Sequence, residues 1–261
     1  MTLYLHELRQ NRISLAVWTA AIALFMVACV VIYPEMETDM EEMGEMFASM
    51  GSFTAAFGMD RLNFGTLMGY YAIECGNVIG IGGAFFAALT GIAALAKEEK
   101  DHTAEFLLTH PVSRTKIISA KLAAVMTQVI VLNAVVLAAS AGSIVLMDLD
   151  AEWKNILLMH LAYFLLQIEL AGVCFGLSAF IRGGSLGAGL GFALVLYFMN
   201  LIKNITDEAE FLKYVTPFAY CDGADIVDAG SLDGMLVGLG MGYMTVALAI
   251  GFWWYRRKDI A

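Results

Sequence analysis

Ionisable residues are scarce in this chain. Only 15% of its 261 residues are charged, against about 25% in an ordinary soluble domain. Too little polar side chain remains to cover a soluble enzyme of this size. Proline is scarcer still, at three residues, which argues for long helices over a loop-rich fold. Cysteine shows no pairing pattern: Cys29, Cys75, Cys174 and Cys221 lie far apart with no CxxC spacing, so neither a disulfide framework nor a zinc site is indicated. There is no GxxxxGK[ST] loop and no HExxH, so the chain has no ATPase site of the P-loop kind and no zincin site. Glu98-Glu99 invites comparison with intramembrane proteases that carry an arginine four residues after such a pair, but Thr103 stands there. No metal site and no catalytic group are expected. A net charge of −10 argues against nucleic acid as a partner.

Apolar residues are what is abundant, at 60%. A membrane-crossing helix needs about 20 of them in a run. Six runs qualify, at about residues 13–33, 70–96, 122–147, 156–180, 186–202 and 232–255. Trp18, Tyr33, Tyr70, Tyr71, Trp253 and Trp254 fall near their ends, where interfacial aromatics belong. The expected fold is therefore a single all-α transmembrane domain over residues 1–261, set in a lipid bilayer. Lysine and arginine set its orientation. With the N-terminus inside, Arg9, Arg12, Lys97, Lys100, Arg114, Lys116, Lys121, Arg182, Arg256, Arg257 and Lys258 are all cytoplasmic. Only Arg61, Lys154, Lys203 and Lys213 are outside, so both termini are expected in the cytoplasm. Acidic residues have the opposite bias, and the outer face reads as a solvated acidic surface or a cation-attracting vestibule.

The connections carry further signals. Residues 2–12 mix Leu3, Leu5 and Leu8 with His6, Glu7, Arg9 and Arg12, the pattern of a short interfacial helix. Met36, Met40, Met43, Met46 and Met50 recur at helical spacing beyond the first run, giving an amphipathic stripe that packs on lipid or on neighbouring helices. The outer stretch 203–231 contains Phe211, Leu212, Tyr214, Val215, Phe218 and Tyr220. It is too apolar for a free loop and reads as a partly re-entrant cap. Gly76, Gly80, Gly83 and Gly91 in the second run, Gly187 and Gly191 in the fifth, and Gly234, Gly238 and Gly242 in the sixth predict close helix packing on those faces.

Two carboxylates fall inside runs. Glu74 sits near the outer end of the second run and Glu169 near the middle of the fourth. An acid at that depth costs roughly 2.5–3.5 kcal/mol unless it is paired, hydrated or protonated. The third and fourth runs are antiparallel about residues 150–151, so Asn133, Gln167 and Glu169 share a depth and are expected in one polar layer. Such a layer serves either as interhelical hydrogen bonding or as a substrate or proton site. An ion- or proton-coupled carrier using Glu74 and Glu169 is one functional reading.

The cytoplasmic stretch 97–121 is the most informative. Glu98, Glu99 and Asp101 open a helical segment whose apolar side is Thr103, Ala104, Phe106, Leu107 and Leu108. Pro111 ends it, and Ser113 is positioned to cap the next helix. An apolar patch on a charged cytoplasmic helix calls for a partner or the membrane surface to cover it. The order Thr103, Glu105, Leu107, Leu108, Pro111, Val112, Ser113, Arg114, Lys121 resembles the first cytoplasmic connection of ABC-2 type permeases, with His102 where those proteins usually have glycine. Residues 211–220 and the ending Tyr255-Arg256-Arg257-Lys258-Asp259 resemble the same family.

The resemblance implies a type V exporter-like fold. It makes residues Glu98 to Arg114, with Glu99, Thr103, Glu105, Phe106, Leu107, Leu108, Pro111, Val112 and Ser113, the coupling surface for a separate ATP-binding subunit. ATP and Mg belong to that subunit, and no cofactor to this chain. It also implies a second permease copy, the same chain or a sister chain. The path for a hydrophobic or amphipathic cargo then lies between the two copies, lined by the second and fifth spans, with Phe85, Phe86, Phe198, Met199 and Asn200 as candidates. The implied location is a bacterial cytoplasmic membrane. A non-transporting immunity or assembly subunit is a further reading of the same surface.

Overall fold

The computed structural model describes residues 2–48, 51–100, 113–181 and 186–258, and the backbone alone for residues 2, 37–48 and 97–100. Among the described residues the secondary structure is entirely helical. Six helices are long and apolar enough to cross a membrane: Leu3–Met36, Leu67–Ala96, Arg114–Leu146, Trp153–Ser178, Leu186–Ile205 and Gly234–Arg257. They are the first to sixth spans below, and the charge asymmetry names their inner and outer ends. The chain is a multi-pass, all-α integral membrane protein.

The spans are not equivalent. Buried residues make up 61% of the fourth span's apolar window and 56% of the second's, but only 22% of the fifth's and 17% of the sixth's. The second and fourth spans therefore form the centre. The fifth span packs on the second, the sixth on the fourth, and the first lies along the third. Leucines, valines and aromatics left exposed on the outer spans, such as Leu24, Phe25, Val195 and Trp253, are on surfaces a lipid bilayer would cover.

Three features differ from the expectations above. The interfacial segment 2–12 is not a separate helix: a single helix, Thr2–Ala48, runs through it, the first span and the methionine-rich stretch, with Pro34 inside. Tyr4 and Glu7 fasten its beginning to the third span. The second span is not uniform either. Its helix is interrupted by two π-helical stretches, Tyr71–Cys75 and Val78–Gly82, whose wider turns re-aim the side chains that follow.

The third difference concerns the glycines. Those of the second span pack as expected. A Cβ on Gly80 would lie 2.9 Å from the Tyr163 ring, and one on Gly91 would lie 2.5 Å from the Ala171 carbonyl. Gly191, Gly234, Gly238 and Gly242, however, meet nothing within 4 Å. In the sixth span the close contacts are made by Gly240 and Gly251. Gly240 is two residues from Gly238, roughly 200° around the helix, so the regular glycine stripe faces away from the bundle.

Residues 203–231 form the expected cap. After the fifth span come short 3-10 turns at Asp207–Tyr214 and Pro217–Cys221 and a helix at Gly223–Ala229. Phe218, Ala219, Tyr220 and Cys221 are buried, whereas Phe211, Tyr214 and Val215 are exposed. The cap is thus packed into the bundle mainly over residues 216–226. Thr216 holds the turn Pro217–Cys221 by donating its hydroxyl to the Leu196 carbonyl at 2.7 Å.

Candidate functional site

The inner end is built around the two sides of residues 97–121. Glu98 and Glu99 lie in the last turn of the helix Gly83–Lys100. Thr103, Glu105, Phe106, Leu107, Leu108, Pro111 and Val112 lie outside the described residues. Beyond them Ser113 accepts from the Lys116 amide at 3.3 Å and caps the third span. Arg114 turns towards the chain's own last helix: its Nη1 donates to the carbonyls of Tyr255 and Lys258. Lys258 Nζ in turn donates to the Ala179 carbonyl at 3.1 Å. These bonds satisfy carbonyls at two helix ends that lack intrahelical partners. Two turns into the third span, buried Lys121 forms an ion pair with buried Glu7 at 2.7 Å. Tyr4 and Thr127 hydroxyls meet nearby at 3.0 Å. The first, third and sixth spans and the end of the fourth are therefore joined around the start of the third span.

The intramembrane polar residues named from the sequence lie in three separate places. Asn133 donates to Gln167 Oε1 at 2.7 Å, across the third and fourth spans. Gln167 also lies against the backbone of the second span, where Gly83 leaves room for its amide. Glu169 is two residues further on, roughly 200° round the helix. It faces the cap and the sixth span: Tyr220 donates to its Oε2 at 3.0 Å, and a Cβ on Gly240 would lie 2.1 Å from the same oxygen. Glu74 is half-buried in the first π-helical stretch of the second span. A second buried network, absent from the sequence reading, lies toward the outer end. Tyr71 of the second span shares its hydroxyl with Ser140 of the third and with His160 Nε2 of the fourth, the latter at 2.7 Å.

Of the expected path residues, Phe86 is fully buried and packs on Trp18 with ring centroids 6.3 Å apart. Phe85 packs beside Ala88, Ile92 and Cys174. Phe198 is exposed and Met199 is packed into the core. Asn200 lines a small cavity, of about 50 Å³, between the second and fifth spans under the cap. Asn77, Gly80, Tyr163, Asn200, Asn204 and Asp222 are among its walls. Tyr197 also lines it and donates to Asn77 Oδ1 at 3.4 Å, linking the two spans. Of this set, sequence reasoning named Asn200 as path lining and Gly80 only as a packing position, although Asn200 and Asn204 are four residues apart on a mostly apolar helix.

Asp222 closes the outer side of the cavity. It receives Arg61 at 3.1 Å, Asn204 at 3.0 Å and the Ala224 amide at 3.1 Å, capping the helix that follows. Arg61 also pairs with Asp225 at 2.6 Å. Partial burial pulls the Arg61 guanidinium down, but the Asp225 hydrogen bond and the nearby carboxylates outweigh it and raise its pKa.

A family model described as ABC-2 family transporter protein matches residues 1–260. No curated protein matches the chain.

Proposed function

The chain belongs to the ABC-2 transporter family as a permease subunit of an ABC transporter, and we propose that it serves an exporter driven by a separate ATP-binding subunit. In this reading the partner binds and hydrolyses ATP with Mg, and this chain contributes no catalytic group. Residues 97–114 dock on the partner, with Glu105 making the charged contact and Phe106, Leu107 and Leu108 the apolar one. A second permease, identical or sister, completes the path. The cargo is hydrophobic or amphipathic, such as a peptide, an antibiotic or a drug-like molecule, and the membrane is a bacterial cytoplasmic one.

The observation that carries the reading is the family match over nearly the whole length, with the family's motif between the second and third spans. The bonding of Arg114 to the carbonyls of Tyr255 and Lys258 supports a transmission role. A displacement that reaches Arg114 would be passed directly to the last helix. The carrier reading has less support. Glu74 lies by Cys29, Cys75 and Tyr70, and Glu169 by Tyr220 and Cys221, so the two acids share no site.

The test is capture of the partner. The tagged chain, co-expressed with its neighbouring genes and extracted in mild detergent, should hold an ATP-binding subunit in equal amount. Glu105→Lys with Leu107→Asp should release it while leaving the permease folded. Absence of any such subunit from the unsubstituted chain would sink the proposal.

A further inference from the structure

We propose that Cys29 and Cys75 form an oxidisable dithiol, a modification site that a membrane-permeant peroxide converts into a disulfide joining the first span to the second. Both thiols are free in this structure. The inference goes beyond the exporter reading and does not depend on it.

The fold makes the pair. The first span packs against the π-helical stretches of the second. Towards their outer ends the Tyr33 and Tyr70 rings meet with centroids 5.3 Å apart. Cys29 lies one turn deeper in the first span, four residues before Tyr33. An α-helical second span would set Glu74 below Tyr70 by the same spacing. The stretch Tyr71–Cys75 is π-helical instead, and its i→i+5 spacing sets Cys75 there. Burial agrees: Cys75 is fully buried, whereas Glu74 is half-buried. The Cys29 and Cys75 thiols are accordingly neighbours, and the Tyr70 hydroxyl adjoins Cys29. The other two cysteines sit elsewhere: Cys174 packs with Ala88, Ile92 and Ala193, and Cys221 lies by Glu169 and Asp222.

The positions suit the chemistry. Both cysteines lie in the outer halves of their spans, towards the side of a cell membrane on which disulfides persist. Burial keeps out charged oxidants and bulky thiol reagents, but a small neutral peroxide crosses a bilayer. Cys29 reacts first, because the Tyr70 hydroxyl and the Cys75 thiol are both placed to donate to its sulfur, and because it keeps 7% exposure where Cys75 has none. The Cys29 sulfur attacks one peroxide oxygen, the O–O bond breaks, and the departing oxygen takes the thiol proton and leaves as water, so that Cys29 becomes a sulfenic acid. The Cys75 sulfur then attacks the Cys29 sulfur, the S–O bond breaks, and the Cys75 proton leaves with that oxygen as a second water. The two thiols give up two electrons and the peroxide takes them. The new S–S bond closes a loop over residues 30–74 and ties the first span to the irregular part of the second.

The experiment uses the purified full chain, fully reduced, in lipid nanodiscs without any ATP-binding subunit, and hydrogen peroxide is the probe. After treatment the remaining thiols are alkylated in denaturant, and peptides are mapped by mass spectrometry without reduction. Alkylatable thiols should fall from four to two. A peptide joining Cys29 to Cys75 should appear in step, and both thiols should return after dithiothreitol. Cys75→Ala should leave Cys29 at the sulfenic acid, trapped by dimedone added with the denaturant. Cys29→Ala should leave Cys75 unmodified over the same time, and Cys174→Ala should change neither the linked peptide nor its rate. Four intact thiols, loss of thiols without a linked peptide, a bond to Cys174 or Cys221, or a Cys29-to-Cys29 bond between two copies would each overturn the proposal. The deciding measurement is made on the unsubstituted chain, so a variant that fails to fold does not blunt it. Because no ATPase is present, failure here leaves the exporter reading standing, and loss of ATPase capture leaves this dithiol standing.

Discussion

The two ends of the bundle solve the same problem with different materials. At the inner end, charged groups are buried and act over long stretches of chain: Glu7 pairs with Lys121, Arg114 with the carbonyls of Tyr255 and Lys258, and Lys258 with Ala179. Each bond joins the ends of long, continuous helices. At the outer end the pairs include Arg61 with Asp222 and Asp225, Lys203 with Asp222 at 4.0 Å, and Lys213 with Glu210. Most partners sit on short elements, and Arg61, Asp225 and Glu210 are well exposed, whereas Asp222 and Lys203 are largely buried. Exposed pairs between short elements are weak and readily exchanged for water. Buried ones are costly to break. The inner end is therefore suited to carry a displacement, and the outer end to rearrange in response.

The largest expected effect breaks the inner end. Lys121→Met leaves the Glu7 carboxylate buried without its counter-charge and should destabilise the protein by about 3–5 kcal/mol. Glu7→Leu added to Lys121→Met should recover most of that, since an apolar pair of similar volume replaces both charges. Thermal unfolding in detergent, followed by tryptophan fluorescence, reads both. A double variant as unstable as the single one would mean that the charges matter for something other than each other.

A smaller effect is expected at the centre, where the second and fourth spans touch. Gly91→Ala places a Cβ 2.5 Å from the Ala171 carbonyl, and backbone cannot move aside as a side-chain tip can. A loss of about 1–3 kcal/mol should appear in the same melts. Gly238→Ala, which meets nothing within 4 Å, should leave the isolated chain unchanged, so the pair of variants separates packing within the chain from glycine content alone.

That contrast also shows what was legible beforehand. Six spans, the cap and the pairing of Asn133 with Gln167 follow from hydropathy, aromatic content and antiparallel depth, because each depends on one-dimensional spacing. Which face of a helix is inside does not. Gly234, Gly238 and Gly242 have the spacing of a packed stripe, yet Gly240 makes the contact. Glu169 has the depth of Gln167 but the opposite azimuth. The π-helical stretches change the register of the second span, so Phe86 turns into the core towards Trp18, and the cavity falls to Asn77 and Tyr163. Those positions carry no motif. They are brought together only by the packing of three spans and the cap.

The outer end should respond more mildly. Asp222→Ala removes the cap on the helix Gly223–Ala229 and the anchor for Asn204, and should cost about 0.5–2 kcal/mol. Its lost pairing with Arg61 adds little, because the Arg61 side chain is 40% exposed. Limited proteolysis of the cap is the sharper readout: cleavage within 207–229 should rise while the long spans stay protected. Equal loss of protection throughout would show that the cap is as much a part of the core as the inner end.

The smallest effect is expected where both partners face water. Lys213 donates to Glu210 at 2.5 Å, and this hydrogen bond holds the Glu210 carboxyl below its ordinary value of 4.5. A carboxyl lowered on folding contributes stability above its unfolded pKa and loses it as pH falls through the lower folded value. The same bond raises the Lys213 ammonium above 10.5, and that contribution is present below its unfolded pKa and lost as pH rises through the raised one. Both contributions are therefore present at neutral pH, and both are screened by water and salt. Lys213→Gln should leave the melting temperature at neutral pH where it was, within error, and should weaken only the acid-side slope below the ordinary carboxylate value. A clear loss at neutral pH would mean that this pair fastens the turn Asp207–Tyr214 as firmly as Glu7 and Lys121 fasten the inner end, and the contrast between the two ends would fail.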